Sequence, residues 1–107
     1  MATINPFKLI YATQVKGHLK TIDQKYHSLI RREIENQLRF EPNIETRNRK
    51  PLTRSVEFEA DWELCCGPNN RFRVFYEINQ PEREVYVIAI GRKRGNRVII
   101  GGEEVEL

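Results

Sequence analysis

Between Val56 and Ile78 the chain alternates apolar and polar residues twice around a short polar turn, and few arrangements other than a β-hairpin satisfy that pattern. Val56, Phe58, Ala60, Trp62, Leu64 and Cys66 fall on one side of the first strand. Glu57, Glu59, Asp61, Glu63 and Cys65 fall on the other. The return strand places Phe72, Val74, Tyr76 and Ile78 on its apolar side, with Arg71, Arg73, Phe75 and Glu77 opposite. Like faces must stay together in a hairpin, which favours Trp62 opposite Val74, Glu63 opposite Arg73 and Cys65 opposite Arg71. One face then belongs to a core, and the other, bearing arginines, is expected to be open to water.

The rest of the chain supplies cover for the apolar face. Phe7 to Tyr11 reads as a strand after Pro6. Thr13 is a candidate cap for a short helix carrying Val15, Leu19 and Ile22 and weakened by Gly17. Thr21-Ile22-Asp23-Gln24 matches a capping box, with Thr21 as the cap, for a longer helix. Its stripe Tyr26, Leu29, Ile30, Ile34, Leu38 has helical spacing, and Arg31–Glu35 and Glu35–Arg39 form i,i+4 pairs. Residues 41–55, broken by Pro42 and Pro51, read as a loop. A strand from Glu84 to Ile90 is expected to end at Gly91, Val98 to Ile100 adds a short one, and Glu103 to Leu107 reads as a solvated acidic tail. Trp62, Tyr76 and Tyr86 are all expected on apolar strand faces.

Helices early and strands late imply an α+β fold: an N-terminal strand and helical hairpin packed on one face of a mostly antiparallel four- to five-stranded sheet. A chain of 107 residues, 39% hydrophobic and 31% charged, makes one domain over residues 1–107. No apolar run approaches the roughly 20 residues of a membrane helix, and no secretory leader is visible, so a cytoplasmic location is expected and no membrane partner. Cys65 and Cys66 are adjacent on a strand and point apart, which disfavours a disulfide between them. His18 and His27 lie far from them in sequence, so neither a metal nor another cofactor is expected.

Net charge is only +3, yet it is segregated. Arg47, Arg49, Lys50 and Arg54 crowd one loop, and Arg92, Lys93, Arg94 and Arg97 crowd a second segment, with four acids between Glu57 and Glu63. Two basic clusters on a mildly charged protein fit an anionic partner such as nucleic acid.

The order of elements, with Trp62-Glu63-Leu64 leading through a Gly-containing turn to Phe72-Arg73-Val74-Phe75-Tyr76 and a further strand ending in Gly91-Arg92-Lys93, resembles the RelE/ParE superfamily of bacterial toxin-antitoxin modules. The similarity runs from the first strand to just beyond Lys93. It implies a toxin held inactive by a cognate antitoxin. Many RelE-like members cut messenger RNA on the ribosome without metal, whereas ParE-like members inhibit DNA gyrase and cut nothing.

By motif position, the resemblance points to Arg73, Lys50 and Arg92 as the catalytic set. Arg47, Arg49, Arg71, Phe75, Lys93 and Arg94 are the expected nucleic-acid contacts. Phosphate suits arginine because its planar fork bonds two oxygens and stays charged. Two positions depart from the family pattern. Its Glu-Leu-Arg reads Glu63-Leu64-Cys65 here, and no Tyr or His follows Arg94. Translation inhibition by binding and cleaving messenger RNA therefore stands beside a non-enzymatic alternative, a gyrase inhibitor or a member that has lost cleavage.

Overall fold

The computed structural model describes residues 5–52 and 60–105. Residues Arg54 to Glu59, including the outer half of the first expected hairpin strand, lie outside that set, as do Glu106 and Leu107. The described chain is α+β. It runs β1 (Lys8–Tyr11), α1 (Val15–Lys20), a 3₁₀ turn (Gln24–Tyr26), α2 (His27–Leu38), β2 (Arg49–Pro51), β3 (Trp62–Cys66), β4 (Phe72–Asn79), β5 (Glu84–Arg94), β6 (Arg97–Ile100) and β7 (Glu103–Val105).

All seven described strands join one sheet in the order β2-β3-β4-β5-β6-β7, with β1 parallel to β5 and the other pairs antiparallel. That exceeds the four or five strands read from the sequence, for two reasons. Within the expected loop after α2, Arg49–Pro51 pairs with Trp62–Leu64 as an edge strand. The expected acidic tail folds back as β7, where Val105 is buried opposite Val98. Two apolar residues, Val105 and Leu107, among three glutamates were too little periodicity to reveal a strand.

The helices cover one face of the sheet. Val15 of α1, Ile22 of the connection and Ile30, Ile34 and Leu38 of α2 form a core with Leu64, Cys66, Phe72, Val74, Tyr76, Val85, Val87 and Ile90. A 12-residue helix is marginal alone in water, so α2 depends on that buried stripe, each large aliphatic side chain contributing roughly 1.5–3 kcal/mol. The connection differs in detail from a capping box. Thr21 donates its hydroxyl to the His18 carbonyl at 2.7 Å, and Asp23 instead accepts from the Lys25 amide at 3.0 Å.

The opposite face is not open. Phe75, Ala89, Val98, Ile100 and Val105 form a second, smaller core with Leu52 and Ala60 against it. Two features of β5 produce this arrangement. Opposite the step from Phe75 to Tyr76, its partner jumps from Ala89 to Val87, leaving Ile88 as the extra residue of a bulge. Val85 and Val87 before the bulge and Ile90 after it thus face the helices, while Ala89 faces the second core. Tyr86 consequently leaves the helix-side core and donates its hydroxyl to Glu84 at 2.8 Å. Nor does Gly91 end the strand. It sits where β5 and β6 touch, and a Cβ there would lie 2.7 Å from the Ile99 carbonyl oxygen.

The β3–β4 hairpin also closes later than expected. Observed partners are Trp62 with Tyr76, Glu63 with Phe75, Leu64 with Val74, and Cys65 with Arg73, a slip of two residues that preserves the faces. Its loop is longer than a tight turn because Gly67, Asn69 and Asn70 adopt positive φ (83°, 56° and 52°) and carry Arg71 out of the strand.

One edge of β5 is divided between β1, along Glu84–Val87, and β6, along Gly91–Arg94. In the gap, the segment around α1 supplies the missing partners. Ala12 N–H donates to the Val87 carbonyl (2.9 Å), Gln14 Nε2 to that of Ile88 (3.1 Å), and Ile90 N–H donates to His18 Nδ1 (3.3 Å). Accepting that bond requires an unprotonated Nδ1, and burial lowers the His18 pKa from its ordinary 6.5. The sign follows: the unfolded chain protonates first, so the His18 contribution is complete above about pH 6.5 and is lost as pH falls through the lower folded-state value. His18→Ala should cost about 1–3 kcal/mol by leaving the buried Ile90 N–H unpaired. Urea titrations from pH 7.5 to 5 should show a decline in wild-type stability that is smaller in the variant. Equal slopes would remove His18 from this role.

Candidate nucleic-acid interface

The basic residues singled out in the sequence do not converge on one site. Arg49 is 6% exposed and serves the fold: Nε donates to the Ile44 carbonyl at 3.1 Å, Nη1 to that of Gln37 in the last turn of α2, and Nη2 lies 3.9 Å from Glu41. A guanidinium is suited to this because its fork reaches several acceptors. Together with the Tyr76 hydroxyl, which donates to the Pro42 carbonyl at 2.8 Å, it fastens the segment after α2. Arg49 is therefore corrected from a nucleic-acid contact to a buried tether. Phe75 is corrected too, being 0% exposed within the second core, where no base can stack on it.

Arg73 is largely consumed. Its side chain is 13% exposed, Nε lies 3.2 Å from Oε1 of Glu63, itself 16% exposed, and Nη1 donates to the carbonyls of Asn70 and Phe72. The expected Glu63–Arg73 pairing exists as a diagonal contact, although the strand register sets each opposite another residue. Lys50 is exposed across from Glu63 on β2, so this lysine of the first basic cluster stands opposite an acid. Cys65 donates to the same carboxylate at 3.2 Å. Burial pushes the Cys65 thiol up to about 11 and that of Cys66 up to about 12, which keeps both protonated and poor nucleophiles near neutrality.

The second basic cluster assembles differently. Arg71, Arg92 and Lys93 line a cavity of about 420 Å³ with Thr21, Ile22, Asp23, Tyr26 and Phe72, where the helical connection meets the ends of β4 and β5. Their convergence is built by the backbone. Lys93 N–H donates to the Arg71 carbonyl at 2.6 Å, and Arg92 stands opposite Phe72 on β5. Arg71 reaches the Tyr26 hydroxyl at 3.4 Å and lies 5.8 Å from its ring centre, with Tyr26 packed on Phe72 at 5.1 Å. Among the described residues, none of these three cations forms an ion pair within 4.0 Å.

Sequence reasoning assigned Tyr26 only to the helix stripe and missed Asp23 and Thr21 as walls. The one signal was the polar connection itself. Arg47 lies exposed in the loop before β2, and Arg94 is exposed at the β5–β6 hairpin, both away from this cavity's lining. A separate cavity of about 610 Å³ runs between β1 and α2, walled by Phe7, Leu9, Ile30 and Ile34 with Lys8, Arg31 and Arg39 also lining it.

Among the described residues no group of three or more His, Cys, Asp or Glu side chains is placed to hold a metal ion, and no helix is long and apolar enough to cross a membrane. No protein-family model matches this chain, and no curated protein matches it.

Two experiments separate structural from ligand-binding arginines. Arg49→Lys should lower stability by about 2 kcal/mol, because an ammonium cannot reach the carbonyls spanned by the fork. In a double-mutant cycle, Arg73→Ala and Glu63→Ala should couple by about 1 kcal/mol or more, above a typical exposed pair. Urea unfolding measures both. Stabilities unchanged within about 0.3 kcal/mol would return these residues to the list of surface contacts.

Proposed function

We propose that this protein is a RelE/ParE-type toxin that inhibits translation by binding RNA through Arg71, Arg92 and Lys93. The observation that carries the reading is the concave cluster of three cations lacking carboxylate partners among the described residues. Uncompensated cations favour phosphate, and arginine can bond two of its oxygens. The order of elements and the motif similarity support the toxin assignment. A cognate antitoxin would hold the protein inactive, and the cavity along β1 and α2 offers such a segment apolar walls beside charged ones, Lys8, Arg39 and the Arg31–Glu35 pair.

The non-enzymatic alternative is favoured by a specific observation. Arg73, the best motif match to a catalytic arginine, is bound to Glu63 and to two loop carbonyls, and both thiols are held protonated. Cleavage needs a group that moves a proton from the ribose hydroxyl, and among the described residues no histidine lines the cavity that holds these cations. Binding without cleavage, at the ribosome or at DNA gyrase, accounts for that combination.

Expression without an antitoxin should arrest growth, and pulse labelling should show protein synthesis falling before DNA synthesis. Arg71→Ala/Arg92→Ala should relieve the arrest, and RNA binding by that variant should show a shallower salt dependence by about two phosphate contacts. Intact messenger RNA during the arrest selects the binding reading, and cut messenger RNA the nuclease. Early loss of DNA synthesis selects gyrase. Normal growth at verified soluble expression would overturn the toxin assignment.

A further inference from the structure

Resting on the RNA-binding reading, we infer that the cavity between the helical connection and β4–β5 takes one ribonucleotide unit of a single strand, with Asp23 reading the ribose hydroxyl. The cavity is not uniformly basic. Asp23 shares its lining with Arg71, Arg92 and Lys93, together with the apolar surfaces of Ile22 and Phe72 and the hydroxyl-bearing Thr21 and Tyr26. A bare phosphate patch gains nothing from a carboxylate, which repels the ligand's charge. A nucleotide does, because a carboxylate is an acceptor for a sugar hydroxyl placed a bond or two from the phosphate.

Asp23 is held for such a task. Oδ1 accepts from the Lys25 amide at 3.0 Å, which fixes the side-chain direction, while a carboxylate has about four acceptor positions and keeps others for a ligand. Tyr26 adds an ordered wall through its packing on Phe72. A volume of about 420 Å³ lies within the range of small-ligand pockets, roughly 300–1,000 Å³, and suits a single unstacked nucleotide. A paired duplex presents phosphates on a convex surface and keeps its sugars and bases out of such a recess, so single strands are preferred.

Binding of labelled oligouridylate and of the matching oligodeoxyuridylate to the full chain tests the inference by fluorescence anisotropy, with inorganic phosphate as competitor. The ribose strand should bind about tenfold tighter, as expected for one hydrogen bond to a charged acceptor. Asp23→Ser keeps a capping oxygen but shortens the reach. It should bring the ratio close to one, without weakening the deoxy strand. Arg71→Ala/Arg92→Ala should weaken both strands. Equal affinity of the wild type for both would overturn ribose recognition while leaving the RNA-binding reading in place. Competition by millimolar phosphate alone, with no strand length dependence, would reassign the cavity to free phosphate. Failure of either strand to bind would overturn the inference outright, and pulse labelling would then decide the toxin reading separately.

Discussion

The fold depends on how the long central strand β5 satisfies its second edge. One edge is taken by β4 from Glu84 to Arg92, but the other is shared end to end by β1 and β6, which leaves a short stretch of backbone facing no strand. Buried amide and carbonyl groups there would each cost about 1–3 kcal/mol if unpaired. Ala12, Gln14 and His18 pair them instead. That fixes where α1 lies, and through the connection at residues 21–26 it fixes where Asp23 and Tyr26 meet the ends of β4 and β5. The candidate site is thus positioned by the repair of a gap in the sheet.

Arginine has two separate uses in this molecule. Arg49 and Arg73 are drawn inward, and each spreads its donors over carbonyls and one carboxylate. They organise loops whose main-chain acceptors lack strand partners. Arg71 and Arg92 stay at a concave boundary, where an aromatic ring supports one and strand pairing places the other. Only the second kind retains capacity for an incoming anion. Neighbouring positions in a basic run can therefore differ entirely in role, as Arg49 and Lys50 do.

Much of the architecture was legible because long alternating segments leave few choices. The faces of β3 and β4, the helical stripe of α2 and the covering of one sheet face all follow from spacing. The hairpin register was not, since periodicity fixes a face while a slip of two preserves it, and the left-handed residues Asn69 and Asn70 set the loop length. The burial of Phe75 was hidden for another reason. Its cover comes from Val98, Ile100 and Val105, on strands too short to show a period and brought there by the β5 bulge. The identity of the basic residues was readable, but whether each was already spoken for depends on carbonyls distant in sequence, such as Gln37 for Arg49.

The two ends of the main strand order, β2 and β7, are only three residues long, one carrying Lys50 and Pro51 and the other Glu103 and Glu104. An approaching strand from another molecule would gain few ladder bonds at either place, and Pro51 withholds one donor altogether. Two copies meeting at like ends would also bring lysine to lysine or glutamate to glutamate. The brevity and charge of these two outermost strands therefore oppose edge-to-edge pairing at both places.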